Sequence, residues 1–524
     1  MAENKNAPPD LEKTVSRHSH IVAPPPELLS GDADAELLAK LGYKQELRRN
    51  FTMIEVFGIA FSIMGLLPSI ASTLSFSIPA GPVGMVWGWF VASMFIFVVG
   101  VAMADLGSAM PTSGGLYWWT RNALSFLVGY SNTLGLVGVP RLLNSIVISR
   151  DGNWTPTNGD VYAVFLGCVL LHGVLASTLS KIMGKLQTVF VAMNLILIAA
   201  TIIALPIGKH QRNDAHYIFA QTENLTTWPT GWAFMLSWLS PIWTIGAFDS
   251  CVHMSEEAAN AAKAVPYGIL MSIGSCWILG FIIMIVIAAC INPDLESVLG
   301  SSFGQPMAQI YYDAIGKHDM GILPRWRPPV LELLPRHFSE DGIHPSPLRL
   351  GLRLPGRNSR PPLPHRPSSS SSALLSRCGR KHVAWGTPLF CRLVWGQHKF
   401  VPGPFYTGDK LSRPIAWLAI TFLVFGIILA MFPVGGPNPT PQDMNYTVVI
   451  NMAVWGGALA YYFIDARKWF TGPKITVDVG AMTDEQRQTL ADEGLEITVN
   501  EGDTTPEYGG GVRGDKIEKG VESA

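Results

Sequence analysis

The chain has 524 residues, 48% hydrophobic and only 15% charged, with a formal net charge of −1 and a mean hydropathy of +0.27. That balance excludes an ordinary soluble domain, and a net charge near zero offers no global field for nucleic acid. Sixteen Trp and 51 Gly suit aromatic belts at a bilayer surface and close helix–helix contacts.

Residues 1–50 are polar and proline-bearing, without the apolar core of a signal peptide, and read as a disordered cytoplasmic tail. A bilayer-crossing helix needs about 20 mostly apolar residues. Nine segments qualify: Phe51–Ile78, Val83–Leu106, Leu116–Val139, Asp160–Leu179, Leu186–Ile207, Gly231–Phe248, Gly268–Ile291, Ile415–Pro433 and Thr447–Ile464. The six Cys are scattered, and Cys168, Cys276 and Cys290 lie in these apolar runs, so they read as small buried hydrophobes and not as a disulfide framework or metal cage.

Lys and Arg placement sets orientation. "YKQELRRN" before the first span holds the N-terminus in the cytoplasm, and Lys181, Lys185 and "HMSEEAANAAKAVP" then also fall inside. Asn153 and Asn224, in "NWT" and "NLT", fall outside as glycosylation acceptors. After the seventh span parity fails: Lys399, Lys410, Arg413, Arg467 and Lys468 would lie outside. An odd number of crossings is therefore missing between Asn292 and Lys399.

Two spans are broken. The first reads "FGIAFSIMGLLPSIAST", interrupted at Gly65 and Pro68; the sixth reads "WLSPIWTIGAFDSCVHMSEEA", interrupted at Pro241 and Gly246. Broken spans in corresponding positions of two repeats mark a substrate site, because half-helix N-termini and exposed backbone amides can meet an anionic group there. Asp249, Glu256 and Glu257 follow the second break. An acid near membrane depth is costly and points to function, here a gate or proton acceptor, with a helix-capping cluster as the plainer reading for the two glutamates. Asn194, an amide in the middle of the fifth span, joins them as a coupling candidate. "PTSGGLYWW" closes span two with a tight turn at Pro111, Gly114 and Gly115, and Asp105 is placed to cap or pair at the interface. A single His in "HMSEE" is too little for a metal site, and no metal or other cofactor is expected.

The stretches "FSIMGLLPSIAST" (61–73), "ADLGSAMPTSGGLYWWT" (104–120), "GAFDSCVHMSEEAANAAKAVPYGI" (246–269) and "FVPGPFYTG" (400–408) resemble the amino acid–polyamine–organocation superfamily, most closely the fungal amino acid/choline permeases that include GABA and choline transporters. The resemblance covers about residues 45–320 and 398–473. It implies an all-α polytopic membrane protein with a leucine-transporter-like five-helix inverted repeat, of whose twelve spans about nine are recognisable and spans eight to ten are lost or replaced. It also implies alternating access for an amino acid or amine such as GABA or choline, with a proton as coupling ion, in the plasma membrane with both termini cytoplasmic. On that pattern the substrate-binding positions are Ile63, Met64, Gly65, Leu66 and Leu67 with Trp243, Thr244, Ile245, Gly246, Ala247 and Phe248. Amides near Gly65 would receive a carboxylate, and Trp243 or Phe248 would shield the ligand.

The expected organisation is a tail (1–50), a transporter core (51–320), an aberrant basic segment (321–399), the last two spans (400–470) and a disordered cytoplasmic tail (471–524). The basic segment holds eleven Arg between Arg325 and Phe400, opposed only by Glu332, Glu340 and Asp341, and no 18-residue window in it is apolar enough to cross a bilayer. It stands where the resemblance implies spans eight to ten, as a shifted reading frame that resumes near Val394–Gly396 would produce, and it is expected to supply none of their chemistry. No paired His boxes, nucleophile elbow, phosphate loop or dinucleotide fingerprint supports an enzyme. The alternatives to a carrier are a non-transporting membrane receptor or scaffold, or an inactive product of a faulty gene model.

Overall fold

The computed structural model describes residues 49–120, 124–128, 183–301, 305–319, 368–396, 400–441 and 444–470, with isolated positions between 34 and 47 and between 131 and 174. The chain forms two compact units, 45–474 and the terminal pair 1–44 with 475–524. Of the terminal pair only Asp34, Leu37 and Leu38 are described.

Within the larger unit the described residues are helical, with one isolated bridge between Phe51 and Ala258. Thr52 opens α1 (Met53–Met64) through a reciprocal capping box: its side chain accepts from the Glu55 amide, and the Glu55 carboxylate accepts from the Thr52 amide at 2.8 Å. Gly65 then takes a left-handed conformation (φ +49, ψ 64) between α1 and α2 (Leu66–Ser77). Side-chain-bearing residues resist that conformation, so the break is written in the glycine itself. A 3-10 turn at Ile78–Ala80 leads into α3 (Gly81–Ala109). The continuous apolar run Met53–Ala109 is 57 residues long, enough for two crossings at about 20 residues each.

After the short α4 (Gly115–Trp118), most of the expected third and fourth spans lies outside the described residues. The chain resumes with α5 (Met183–Gly208) and α6 (Ala215–Ala220). The sixth expected span is not one helix but two short pieces, α7 (Thr230–Ser237) and α8 (Leu239–Thr244), with α9 (Ser250–His253) just beyond it. Then come α10 (Ala261–Cys290), α11 (Leu295–Leu299) and α12 (Pro306–Asp319). The last three are α13 (Ser368–Val394), α14 (Asp409–Leu429) and α15 (Thr447–Ile464). Hydropathy marks only the apolar part of a helix, and α10 and α14 begin before it, at Ala261 and Asp409.

Five described helical stretches are long and apolar enough to cross a membrane: Met53–Ala109, Gln187–Gly208, Ala261–Cys290, Asp409–Leu429 and Thr447–Ile464. The long helices α3 and α10 form the most extensive pair, with α1 against α10 and α14 against α3. At the α3–α10 crossing the buried Trp89 lies over Gly280 and donates its indole N–H to the Trp277 carbonyl at 3.2 Å. Small residues allow such close approach where lipid provides no hydrophobic force between helices. On α5, by contrast, Val189, Phe190, Met193, Ile196, Ile203 and Ile207 are exposed, as lipid-facing side chains are. Cys251, Cys276, Cys290, Cys378 and Cys391 are buried, which for Cys276 and Cys290 is what their apolar runs implied.

The basic segment gives a correction. Residues 368–394, expected to supply none of the missing spans' chemistry, form the 27-residue α13. It packs along α14 and also meets α15 and α8. Leu375, Cys378, Ala384, Trp385, Leu389 and Leu393 are buried against the core. A hydropathy window averages over the whole helix surface. It therefore hides a narrow apolar stripe flanked by cations that find partners inside the bundle.

Candidate functional site

The two helix breaks meet at one cavity of about 210 Å³. From the first break come Ile63, Met64 and Ser69; from the second come Ile242, Trp243, Thr244, Gly246 and Ala247; α13 closes the third side with Arg377, Cys378, Lys381, His382 and Trp385. The volume lies below the ~300 Å³ at which drug-sized pockets begin, so it suits a ligand of few heavy atoms. Thr73 of α2 and Ser240 of α8 share a buried hydroxyl–hydroxyl bond of 2.9 Å, which holds the two broken helices together beside the cavity.

At the first break the Gly65 amide is bonded to the Phe61 and Ser62 carbonyls (3.3 and 3.1 Å). The amides of Leu66 and Leu67 open α2, where a helix has no internal acceptors for its first donors and carries its positive dipole end. At the second break α8 ends at Thr244, and Ile245 (φ −92, ψ 54) turns the chain out of helix. The Gly246 carbonyl and the Asp249 carboxylate are thereby presented sideways instead of along a helix axis.

Lys381 meets both. Its ammonium donates to the Gly246 carbonyl and pairs with Asp249 Oδ1 at 3.4 Å, while Asp249 is 1% exposed and Lys381 12%. The same ammonium stands over the Trp385 ring, 5.7 Å from its centroid. Arg377 covers the Trp243 ring at 5.1 Å, and Trp385 packs on Phe248 at 4.5 Å between centroids. Three buried atoms here have no hydrogen-bond partner: Thr244 Oγ1, Asp249 Oδ2 and Trp385 Nε1.

Of the eleven expected binding positions, Ile63, Met64, Trp243, Thr244, Gly246 and Ala247 line the cavity. Gly65 forms the break without lining it, and Leu66, Leu67, Ile245 and Phe248 are buried behind the lining. Among the coupling candidates, only Asp249 stands next to the cavity. Glu256 instead accepts from the Ser113 amide (2.9 Å) and hydroxyl (2.6 Å), fastening the turn before α4. Gly115 in that turn (φ +37) would carry a Cβ 2.4 Å from Val252, so the turn closes tightly on α9. The Glu257 carbonyl accepts from Phe51. Asn194 donates to the Phe190 carbonyl of its own helix at 2.9 Å and does not line the cavity. His253 Nδ1 lies 3.0 Å from the Ser113 carbonyl, and no group of metal-ligating side chains occurs among the described residues. Asn224 donates to the Trp228 carbonyl at 2.8 Å; Asn153 lies outside the described residues.

Sequence reading missed Ser69, Ile242 and all five residues from α13. A signal for the latter exists: positions 377, 378, 381, 382 and 385 repeat at helical spacing on one face. Asp105, expected to cap or pair, is fully buried. It accepts from the Thr407 amide and hydroxyl (3.0 and 2.8 Å) and the Ser412 hydroxyl (2.6 Å), with Arg392 at 3.7 Å.

A family model described as amino acid permease matches residues 51–323. The GABA-specific permease of Saccharomyces cerevisiae is 39% identical over 499 residues, covering 84% of this chain and 86% of that protein. An uncharacterized amino-acid permease of Schizosaccharomyces pombe is 30% identical over 503 residues, covering 86% and 90%. The amino-acid permease BAT1 of Arabidopsis thaliana is 28% identical over 513 residues, covering 84% and 96%.

Proposed function

The chain belongs to the amino acid permease family of the amino acid–polyamine–organocation superfamily, as an integral multi-pass membrane protein and not an enzyme, and we propose that its cargo is a small amino acid or related amine such as GABA. The observation that carries this reading is the meeting of two helix breaks, at Gly65 and at Ile245–Asp249, on one small cavity. A substrate carboxylate would face the positive N-terminal end of α2, on the side where Ser69 lines the cavity. Its amine would face the carbonyls and the acid of the second break, and Trp243 would shield it. Choline fits the same aromatic lining through cation–π contact and is the alternative cargo.

The five-helix inverted repeat and twelve-span plan, alternating access around the breaks, and a plasma-membrane location with cytoplasmic termini belong to the same proposal. So does proton coupling, for which Asp249 is the candidate because it alone among the acids named stands beside the cavity. Uptake of a panel (GABA, choline, alanine, putrescine) into proteoliposomes under an inward proton gradient tests it. Accumulation of one of these above protein-free vesicles is expected; none, from correctly inserted protein, defeats the carrier reading. A non-transporting binding protein is the second reading, favoured by an α13 too polar to qualify as a span by composition. Ligand binding without uptake would be its signature.

A further inference from the structure

The second break offers two groups that recognise an ammonium, the carbonyl of Gly246, freed from any helix, and the buried carboxylate of Asp249, and α13 adds a third, the face of Trp385. All three are already taken by one side chain, Lys381. A lysine ammonium is a compact point charge on a flexible stem, so it can fill a subsite built for a primary amine. The cavity lining contains Arg377, Lys381 and His382 and no carboxylate, while Asp249 behind it is matched by Lys381. Thr244 Oγ1 and Asp249 Oδ2 stand buried without partners at the same place, capacity that an ammonium with other donor directions would use.

Resting on the carrier reading above, we propose that Lys381 is a tethered ammonium occupying the amine half of the cavity. The chain at rest then admits a carboxylate, and it takes a zwitterion or an organic amine only by displacing Lys381. The apparent affinity for an amine is reduced by the fraction of time Lys381 leaves the subsite open. If Lys381 is seated more than nine-tenths of the time, its removal strengthens amine binding by about tenfold or more.

The test uses the full chain in lipid nanodiscs, read by thermal unfolding and by equilibrium binding. In Lys381→Ala, ethylammonium chloride at tens of millimolar should raise Tm by about 2 °C or more over matched sodium chloride. Wild type should not respond, and Asp249→Asn in the Lys381→Ala background should abolish the rise. No difference between ethylammonium and sodium in Lys381→Ala, or an equal rise in wild type, overturns the proposal. Should that variant fail to fold, Lys381→Met keeps the stem packed. It should bind GABA about tenfold tighter than wild type, with butyrate binding unchanged or weaker; equal GABA affinity in both overturns the proposal. Equal affinity with intact uptake removes the role of Lys381 and leaves the carrier reading standing. Amine rescue without uptake of any substrate does the reverse.

Discussion

Replacing Asp105 by Ala should destabilise the bundle by about 3–5 kcal/mol, the cost of breaking a buried ion pair from one side. Asp105 is wholly buried at the end of α3 and fastens two other segments to it. It takes the amide and hydroxyl of Thr407 and the hydroxyl of Ser412, while Ser412 itself accepts from Arg392 Nη2 at 2.6 Å. Three hydrogen bonds to a carboxylate at about 1.5–3 kcal/mol each would exceed the stated cost, but Thr407 and Ser412 can rotate toward other acceptors. What they cannot offset is Arg392, left near an apolar bundle with only Ser412 and the Phe400 ring, 3.7 Å from the ring centroid. Removing Arg392 as well should therefore restore part of the loss: Asp105→Ala with Arg392→Met should be less destabilised than the sum of the single changes by about 1–3 kcal/mol. Asp105→Asn, which keeps one acceptor oxygen, should fall between. Denaturant titration of the purified protein in mixed micelles, followed by Trp fluorescence, measures the cycle. Strict additivity, or a loss under about 1 kcal/mol for Asp105→Ala, would show that these contacts do not hold α13 and α14 to α3.

Gly65→Ala must adopt φ near +49 at a cost of about 1–2 kcal/mol, so ligand affinity at the cavity should fall about tenfold, with Gly65→Asn milder because Asn tolerates that region; equal affinities in binding assays would separate the break from the site. Glu256→Ala should lower stability by about 1–3 kcal/mol through the lost bonds to Ser113 while leaving the pH profile of uptake unshifted, which a proton-accepting role would not allow. Glu223, outside the spans, has its carboxyl held above the usual value by burial and then by Asp294 and Glu296. A raised acid favours folding below its ordinary value of 4.5 and loses that contribution as pH rises through the raised value. Glu223→Gln should therefore flatten the change in Tm across that window. Nearby, burial pushes the Tyr217 phenol up to about 12, with Glu223 adding to it, so that group stays neutral throughout and does not complicate the titration.

The helix breaks were legible because they rest on local chemistry: only glycine sits comfortably at Gly65, and Gly246 stands in the turn that follows α8, although Pro241 lies inside α8 and not at the break. Periodicity and apolar length likewise marked α1 to α3, α5, α10, α14 and α15. Which of the flanking residues face the cavity was not legible, since Ile63 and Gly65 differ only in how the turn aims them. The roles of Glu256 and Asn194 were hidden for another reason. Their partners, Ser113 and the Phe190 carbonyl, are fixed by loop closure and by the helix's own backbone, and an acid or amide satisfied in that way has the same sequence signature as one that moves protons. The site half from α13 was obscured by averaging: its cations lowered the mean hydropathy of a helix whose buried face is apolar and aromatic.

A cationic helix inside a membrane bundle is tolerable only if its charges are met, and for three of the four Lys and Arg of α13 the meeting is specific, whereas Arg380 Nε is buried without a hydrogen-bond partner. Lys381 finds Asp249, and Arg392 finds Asp105 through Ser412; Arg377 and Arg392 also cover the Trp243 and Phe400 rings. Both acids lie within residues 51–323, the part matched to the permease family, whereas Arg377, Lys381 and Arg392 lie in the basic segment. Arg392 stands just before Val394–Gly396, where a shifted frame was expected to resume, so its pairing with Asp105 is compatible with either origin of the segment. Lys381 is the discriminating residue, because it lies well upstream of that point and yet satisfies a buried acid of the family-matched core. Sequencing the transcript across codons 315–400 divides the cases. A continuous frame encoding these residues makes Lys381 an inherited part of the site. A shifted frame makes α13 a chance helix whose lysine found the amine subsite because the Gly246 carbonyl and the Asp249 carboxylate accept any ammonium within reach.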